Sequence, residues 1–276
     1  MQKIDRLGWA DGIAFRSYGL RIGVRVNDRR AIESVLERLP PGWQGASSPV
    51  VDYLYSIIVG GPSARSNFQR FNLLYYHAAL LARSKDIELV LKTFESDLQL
   101  LVADNARRRI FVHAGVVGWK NHAIVIPGVS FSGKTTLVSK LVQAGAKYYS
   151  DEYAVLDERG LVHPFPRPLG IRQPAQFETN RVDVSALGGK SGSRPLPVRL
   201  VISTSYRPGA RWRPRQLTRG LGVLELLANT VSARSQTKLV LETLPKAVRS
   251  AEVLKGVRGE ADEVVEKILE KVRSVK

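Results

Sequence analysis

The chain has 276 residues, of which 44% are hydrophobic and 24% charged, as in a globular protein of one large or two small domains. It contains no Cys, which excludes disulfides, thiolate metal sites and Cys nucleophiles, and its four scattered His argue against a His-built metal site. The formal net charge of +17 indicates a polyanionic partner or, alternatively, a solvated basic surface.

The first 105 residues alternate strands and helices in a pattern typical of an α+β portion. The predicted elements are strands over 13–20, 21–27 and 50–59, helices over 28–38 and 86–105, and a segment over 71–82 that fits either type. Apolar runs stay below the roughly 18 residues that a membrane span needs, and the first residues are charged where a signal peptide would be apolar. We therefore expect a soluble, cytoplasmic protein without a membrane span.

Residues 106–276 have the pattern of an α/β domain with a mixed sheet and a helical C-terminus. The predicted elements are strands over 110–119, 122–128, 146–157 and 196–204, a helix over 135–144, a Pro-interrupted extended segment over 161–172, a mobile loop over 187–195, and a wholly helical region over 221–275 with breaks near 235 and 256–259. Because no linker rich in Pro, Gly or Ser separates the two parts, we expect residues 1–105 to pack on this domain.

Residues 128–135 match the phosphate-binding pattern G-x-x-x-x-G-K-[ST], between an apolar strand and an amphipathic helix. The glycines allow a tight turn that directs backbone N–H groups at phosphate oxygens, and the helix N-terminus favours the same charge. Lys134 would contact the β- and γ-phosphates, and the Thr135 hydroxyl would ligate Mg²⁺. The sequence therefore predicts that ATP and Mg²⁺ bind here, with these nucleotide-binding residues: Gly128, Val129, Ser130, Phe131, Ser132, Gly133, Lys134, Thr135 and Thr136.

Two adjacent carboxylates, Asp151 and Glu152, lie on the next predicted strand, only 17 residues after Lys134. Because a single helix connects the loop to this strand, the pair can return to the neighbourhood of the loop. One carboxylate would accept the proton of an attacking hydroxyl while the other holds the metal. The alternative is a pair of exposed carboxylates at a strand bend.

These residues resemble the catalytic domain of HPr kinase/phosphorylase and the wider group of HPr-kinase-like proteins. The resemblance covers about residues 108–175 and includes the run that starts at His113, the phosphate-binding loop, and the run from Gly145 to Glu152. It implies a P-loop kinase fold akin to phosphoenolpyruvate carboxykinase.

The resemblance also implies residue roles. Asp151 matches the family's catalytic base toward a Ser hydroxyl, Glu152 matches the acid near the metal, and His113 matches a His close to that base, with Lys134 as the fourth catalytic residue. Two departures are visible: the HPr enzymes have Asp at the position of Glu152, and their glycine-rich signature beginning Arg-Gly is absent from residues 166–172. Phosphorolysis, the use of pyrophosphate, a homo-oligomer and HPr itself as acceptor therefore stay open.

The basic residues beyond the loop are candidates for phosphate or acceptor contacts. Arg167 and Arg172 flank the Pro-rich segment, where guanidinium groups would neutralise a transferring phosphoryl group. Between residues 184 and 224 the chain has eight basic residues and no acidic one, including Arg211 and Arg213 on either side of a Trp. Since Trp stacks and Arg pairs with phosphates, this cluster would bind an acidic peptide or a nucleic acid; a solvated surface is the alternative.

Three functions fit these observations. The favoured one is an ATP- and Mg²⁺-dependent kinase that phosphorylates a Ser or Thr hydroxyl of an acidic or already phosphorylated peptide or protein. The others are a nucleotide-binding regulator without kinase turnover and a nucleic-acid-directed ATPase or kinase, although no common nucleic-acid-binding motif is present. A small-molecule acceptor is also open.

Overall fold

The computed structural model describes residue 5 and residues 7–63, 66–129, 132–172 and 179–274. Its backbone divides into two compact units, residues 1–107 and 108–276. Both units combine mixed sheets with helices, so the predicted α/β class is confirmed. No helix in the described part of the chain is both long and apolar enough to cross a bilayer.

The first unit contains a six-stranded mixed sheet, a separate pair of short strands, one short helix and one long helix. Its elements are β1 (Asp11–Ser17), β2 (Leu20–Val26), α1 (Ala31–Leu36), β3 (Gln44–Gly45), β4 (Tyr53–Ile58), β5 (Pro62–Ser63), β6 (Ser66–Gln69), β7 (Asn72–Tyr76), β8 (Ala79–Ser84) and α2 (Ile87–Asn105). The sheet order is β3-β1-β2-β4-β7-β8, with β2 and β4 parallel. Helix α2 begins where the Asp86 side chain accepts the Glu88 N–H, and its apolar face packs on β7 and β8. The ambiguous segment 71–82 is therefore the β7–β8 hairpin.

The second unit contains the remaining elements. They are β9 (Arg109–Trp119), β10 (His122–Pro127), α3 (Lys134–Gln143), β11 (Lys147–Ser150), β12 (Tyr153–Asp157), β13 (Leu161–His163), β14 (Leu169–Arg172), β15 (Thr179–Val182), β16 (Leu196–Tyr206), β17 (Arg215–Leu217), α4 (Arg219–Leu227), α5 (Thr237–Val248), β18 (Glu252–Arg258) and α6 (Asp262–Ser274). Strand β9 pairs with β10 on one edge and with β11 and β12 on the other. Because β16 pairs with both β10 and β13, and β13 pairs with β12, five strands close into a ring.

Helices cover both faces of the β16–β18 region. Helices α4 and α5 contribute Leu226 and Leu244 to a core with Val253, while α3 and α6 contribute their apolar faces to a second core with Leu254. Consecutive residues of one strand are thus buried on opposite sides, as expected for a central strand with two covered faces.

The prediction of a wholly helical region over 221–275 is wrong at β18. This segment pairs in parallel with β16 and antiparallel with β17, so it is an interior strand between two helices. Both faces of this strand are apolar at Val253 and Leu254, which removes the alternation that marks a half-exposed strand.

Two further differences concern loops and breaks. The predicted strand 146–157 is interrupted between β11 and β12 at Asp151 and Glu152. The segment 187–195, expected as a mobile loop, is held against β11, because the Tyr148 N–H donates to the Lys190 carbonyl and the Tyr148 carbonyl accepts the Gly192 N–H.

Candidate functional site

The connection from β10 to α3 carries the predicted phosphate-binding loop. Strand β10 is buried between β9 and β16, and the chain emerges at Gly128, followed by Val129, which is 71% exposed. Gly133 forms the N-cap of α3 with φ of 83°, a left-handed conformation that glycine adopts without strain. Ser130 and Phe131 lie outside the described residues.

Polar groups of the loop are directed toward its interior. The Lys134 ammonium donates to the Val129 carbonyl oxygen at 2.7 Å. Burial lowers the pKa of Lys134, whereas Asp151 and Glu152 raise it, so the ammonium lies within electrostatic reach of both carboxylates. The Ser132 Oγ is buried and has no hydrogen-bond partner among the described residues, which is the condition of a polar group suited to a ligand.

The first turn of α3 contacts the acidic pair. The Thr135 Oγ1 donates to Asp151 Oδ2 at 3.1 Å, and the next residue, Thr136, is exposed. Asp151 Oδ2 also accepts the Gly170 N–H at 3.3 Å. The Tyr148 hydroxyl lies 2.9 Å from Asp151 Oδ1. The Asp151 carboxylate is therefore oriented by groups from three separate elements.

The break between β11 and β12 turns the two carboxylates out of the sheet. In the antiparallel register with β9, Ser150 pairs with Val116 and Tyr153 pairs with His113. The Ser150 Oγ accepts the N–H groups of Glu152 and Tyr153, at 3.1 and 2.9 Å, and so satisfies the donors that leave the ladder.

Glu152 is the carboxylate with the most perturbed environment. Burial and the neighbouring Asp151 raise its pKa to about 7, against the opposing effects of Arg181 and Lys134. Its Oε2 lies 3.5 Å from the Arg167 Nη1. Burial and Asp151 both favour the neutral form of Glu152, although 44% of its side chain is exposed.

His113 joins the loop to the acidic pair through its backbone. Its carbonyl accepts the Gly128 N–H at 3.2 Å, and its ring lies 4.8 Å from the Tyr153 ring at an interplanar angle of 32°. Burial and the charge of Lys134 lower the pKa of His113, against the effect of a hydrogen bond with the Glu152 backbone. The first two effects prevail and favour the neutral imidazole.

The predicted arginine contacts differ in their positions. Only 13% of the Arg167 side chain is exposed, and burial together with Arg181 lowers its pKa to about 10. Arg172 ends β14, and its side chain lies outside the described residues. Arg211 and Arg213 are exposed on the connection from β16 to β17.

Two arginines near the loop escaped the sequence analysis. Arg181 is exposed on β15 directly opposite Gly170, whose N–H reaches Asp151; this proximity arises only when the β14–β15 hairpin forms. Arg258 ends β18 and is 2% exposed, and its Nη2 donates to the Gly133 carbonyl at 2.8 Å. A buried Arg is unusual in proteins. The sequence could not indicate its burial, because the segment was predicted to be helical and not a strand.

The oxygen donors fit one particular kind of metal site. No cluster of three or more His, Cys, Asp or Glu able to hold a metal ion occurs among the described residues. Thr135, Asp151 and Glu152 instead offer a hydroxyl and two carboxylates around the loop. Mg²⁺ in nucleotide sites takes one or two protein oxygens and completes its shell with phosphates and water, so this donor set fits Mg²⁺ that arrives with a nucleotide.

Comparisons with known proteins give little. No protein-family model and no curated protein matches the chain. Among solved structures, the chain is similar to the Hpr(Ser) kinase/phosphatase from Coxiella burnetii, with 15% identity and a TM-score of 0.32 over 59% of this chain and 93% of that one. A likeness this distant carries no argument about function.

Proposed function

We propose that this protein is an ATP- and Mg²⁺-dependent kinase that transfers the γ-phosphoryl group to a Ser or Thr hydroxyl of a peptide or protein. The observation that carries the proposal is the hydrogen bond from Thr135 Oγ1 to Asp151 Oδ2. It joins the first turn of the helix after the glycine-bounded loop to the acidic pair. Phosphate-binding groups and a candidate base therefore lie within one hydrogen bond of each other.

The nucleotide would bind at the start of α3. The first N–H groups of an α-helix have no partner inside the helix and favour phosphate oxygens. Lys134 would exchange its contact with the Val129 carbonyl for the β- and γ-phosphates. Thr135 and Glu152 would hold Mg²⁺, which neutralises phosphate charge when it is bound.

Asp151 is the proposed base. The acceptor oxygen bonds to the γ-phosphorus, the bond from phosphorus to the departing ADP oxygen breaks, and the hydroxyl proton passes to Asp151. Hydrogen bonds from Tyr148 and the Gly170 N–H fix the direction of the carboxylate, and positioning is the larger part of catalysis in phosphoryl transfer. The neutral His113 ring holds Tyr153 beside this pair and is a positioning residue.

Arg167 and Arg181 place positive charge beside the acidic pair. Both act electrostatically around Glu152, and Arg167 contacts its carboxylate directly. Guanidinium groups next to a transferring phosphoryl group stabilise its equatorial oxygens. The same charge favours an acceptor that is acidic or already phosphorylated.

A labelling experiment tests the proposal. Purified protein with Mg²⁺ and γ-labelled ATP, offered a panel of acidic Ser and Thr peptides, is expected to produce acid-stable label on a hydroxyl. The matched control, Asp151→Asn, is expected to bind ATP in calorimetry but to transfer no label. ATP binding without labelling of any peptide would instead support a nucleotide-binding regulator, and label on nucleic-acid ends would support the nucleic-acid-directed enzyme.

A further inference from the structure

The connection from β16 to β17 has two distinct sides. Over residues 210–215 the exposure alternates strictly: one set is half-buried and the other is exposed. The half-buried set is Ala210, Trp212 and Pro214; the exposed set is Arg211, Arg213 and Arg215. We refer to the three exposed residues as the arginine ladder.

The inward side is fixed against β18 by two glycines. A Cβ built on Gly256 would lie 3.0 Å from the Pro214 Cα and 3.3 Å from the Trp212 ring. A Cβ built on Gly259 would lie 2.5 Å from the Ala210 carbonyl oxygen. Because Gly256 and Gly259 have no side chains, the connection packs directly against their backbone.

The outward side presents its charges at regular intervals. Pro214 directs the residue before it to extended backbone, and Arg215 pairs with Lys255 at the start of β17. Alternate residues of an extended chain lie about 6.5 Å apart, so the ladder spans about 13 Å from end to end. This spacing matches that of every second side chain in another extended peptide.

Two of the three ladder charges have no counter-charge among the described residues. No acidic residue occurs between residues 184 and 224, and within the described part of the chain Arg211 and Arg213 form no ion pair. Arg215 has a single electrostatic partner, Glu225. Exposed guanidinium groups without counter-charges attract an anionic partner.

The connection that carries the ladder begins beside the candidate site. A Cβ built on Gly133 would lie 3.6 Å from the Tyr206 Cβ, and the next residue, Arg207, donates its N–H to the Arg258 carbonyl at 2.9 Å. Since Arg258 in turn donates to the Gly133 carbonyl, the connection leaves directly from the loop. A partner bound along the ladder would approach the N-terminus of α3.

We propose that the arginine ladder binds an extended acidic segment of the acceptor, with carboxylates at every second residue. This inference rests on the proposed function, because it assumes that a peptide or protein is phosphorylated. A single-stranded nucleic acid fits less well, since its bases need aromatic faces to stack on. Trp212 faces inward against Gly256, and the Tyr206 hydroxyl is engaged in a hydrogen bond to Glu260, so neither ring is presented along the ladder as a free stacking surface.

The test is direct binding of labelled peptides, followed by fluorescence anisotropy. The probes are three peptides of about twelve residues, a length that covers the ladder with margin. One alternates Glu with Ser, the second has the same composition with its Glu residues contiguous, and the third has Gln in place of Glu. We expect the alternating peptide to bind most tightly, because only its carboxylates match the spacing of the guanidinium groups.

A pair of charge-matched variants locates the binding. The triple variant R211Q/R213Q/R215Q is expected to weaken binding of the alternating peptide about tenfold, as three exposed ion pairs are lost. The control R234Q/K238Q/R249Q removes the same charge from exposed positions elsewhere in the second unit and is expected to change affinity less than about twofold.

Peptide binding and ATP binding test the ladder and the proposed kinase independently. Equal losses in both triple variants, no preference for the alternating peptide, or tighter binding of single-stranded DNA of equal length would overturn the ladder. ATP binding, measured separately, is expected to be unchanged in both variants. A protein that binds the alternating peptide but not ATP would refute the kinase and leave the ladder standing.

Discussion

Two carboxylate sites lie five residues apart along β11 and β12, and their environments are opposite. Asp157 ends β12 with only 7% of its side chain exposed. Its Oδ1 accepts the N–H groups of Arg159 and Leu161, and its Oδ2 lies 3.0 Å from the His163 Nε2. Burial opposes ionisation, but these hydrogen bonds prevail and lower the pKa of Asp157.

Glu152 has no such support. Its side chain is 44% exposed, and among the described residues its carboxylate pairs only with Arg167, at 3.5 Å. Partial desolvation and the neighbouring Asp151 raise its pKa to about 7. A carboxylate whose oxygens are all hydrogen-bonded can stabilise a turn. A carboxylate whose charged form is disfavoured is instead a candidate for a site that binds a ligand or a proton. The hydrogen-bonding environment thus separates Asp157, which closes a turn, from Glu152, to which the proposed function assigns the metal.

The largest expected effect is that of Asp151→Asn. The amide preserves the shape of the side chain but cannot accept a proton, so we expect phosphoryl transfer to fall by roughly 10²–10⁴-fold, the range typical of a lost general base. ATP affinity is expected to change less than about threefold, because the phosphate-binding groups lie on the loop and α3. Initial rates with labelled ATP, together with calorimetry, measure the two quantities. Unchanged transfer would remove Asp151 from the chemistry.

Asp157→Ala is expected to act on stability and not on turnover. The substitution leaves the partly buried N–H groups of Arg159 and Leu161 without their acceptor, at a cost of about 1–2 kcal/mol. Because the pKa of Asp157 is lower in the folded protein, its contribution is present above its ordinary value of 3.8 and is lost as the pH falls through the folded value.

Denaturant unfolding at pH 7 and at pH 3 measures this contribution. The difference between wild type and Asp157→Ala is expected to be large at pH 7 and smaller at pH 3, while turnover per folded molecule stays the same. A variant that is as stable as wild type but inactive would reverse the roles assigned to the two acids.

The sequence predicted the elements whose signals are local. The predicted phosphate-binding loop depends on glycines, a lysine and a threonine at fixed spacing, and Asp151 and Glu152 follow after one helix, so the candidate site could be placed on consecutive elements. What the loop pattern omits is its support: the Gly133 carbonyl is held by Arg258, 125 residues further along the chain. No local pattern encodes a contact of that separation.

The missed strand has a related cause. β18 is an interior strand, so its consecutive residues Val253 and Leu254 are both buried, one on each face. The alternation of buried and exposed residues that reveals a strand is therefore absent. The interruption at Asp151 and Glu152 was also hidden, because tyrosines and aliphatic residues typical of a strand lie on either side of it. In both places tertiary pairing, rather than local propensity, decides the structure.

The pH dependence of turnover distinguishes the proposed role of Glu152 from that of Asp157. If ionised Glu152 holds the metal, kcat/KM for ATP is expected to rise about tenfold per pH unit below pH 7 and to level off above it, since this ratio reports groups of the free enzyme. Glu152→Gln is expected to be less active and to lose this dependence. Between pH 5 and 6 the wild type would therefore be folded but slow, as Asp157 remains ionised there. A pH profile that is the same in both proteins would assign the titration to another group.

The smallest effect is expected for Arg258. Its guanidinium group is only partly satisfied by hydrogen bonds, and so it lies between the Asp157 and Glu152 carboxylates in this respect. Its Nη1 and Nη2 donate to the Gly259 and Gly133 carbonyls, but its Nε has no partner among the described residues. Arg258→Lys keeps the charge and loses the two-pronged geometry, so the Gly133 carbonyl and the N–H groups that follow it are held less firmly. We expect the KM for ATP to rise about fivefold to tenfold with kcat nearly unchanged, because such a residue acts on nucleotide binding through the loop and not on the reacting atoms.

Arg207→Lys, at the exposed neighbouring arginine, is the matched control and is expected to leave both constants unchanged. A variant that merely unfolds would lower the active fraction, and hence kcat, without raising KM, so the ratio of the two effects identifies the role of Arg258. Equal losses of kcat in Arg258→Lys and Asp151→Asn would instead show that the buried guanidinium reaches the transferring phosphoryl group. Arg258 would then belong with the groups that act in phosphoryl transfer, as proposed for Glu152, and not with groups that support the fold, such as Asp157.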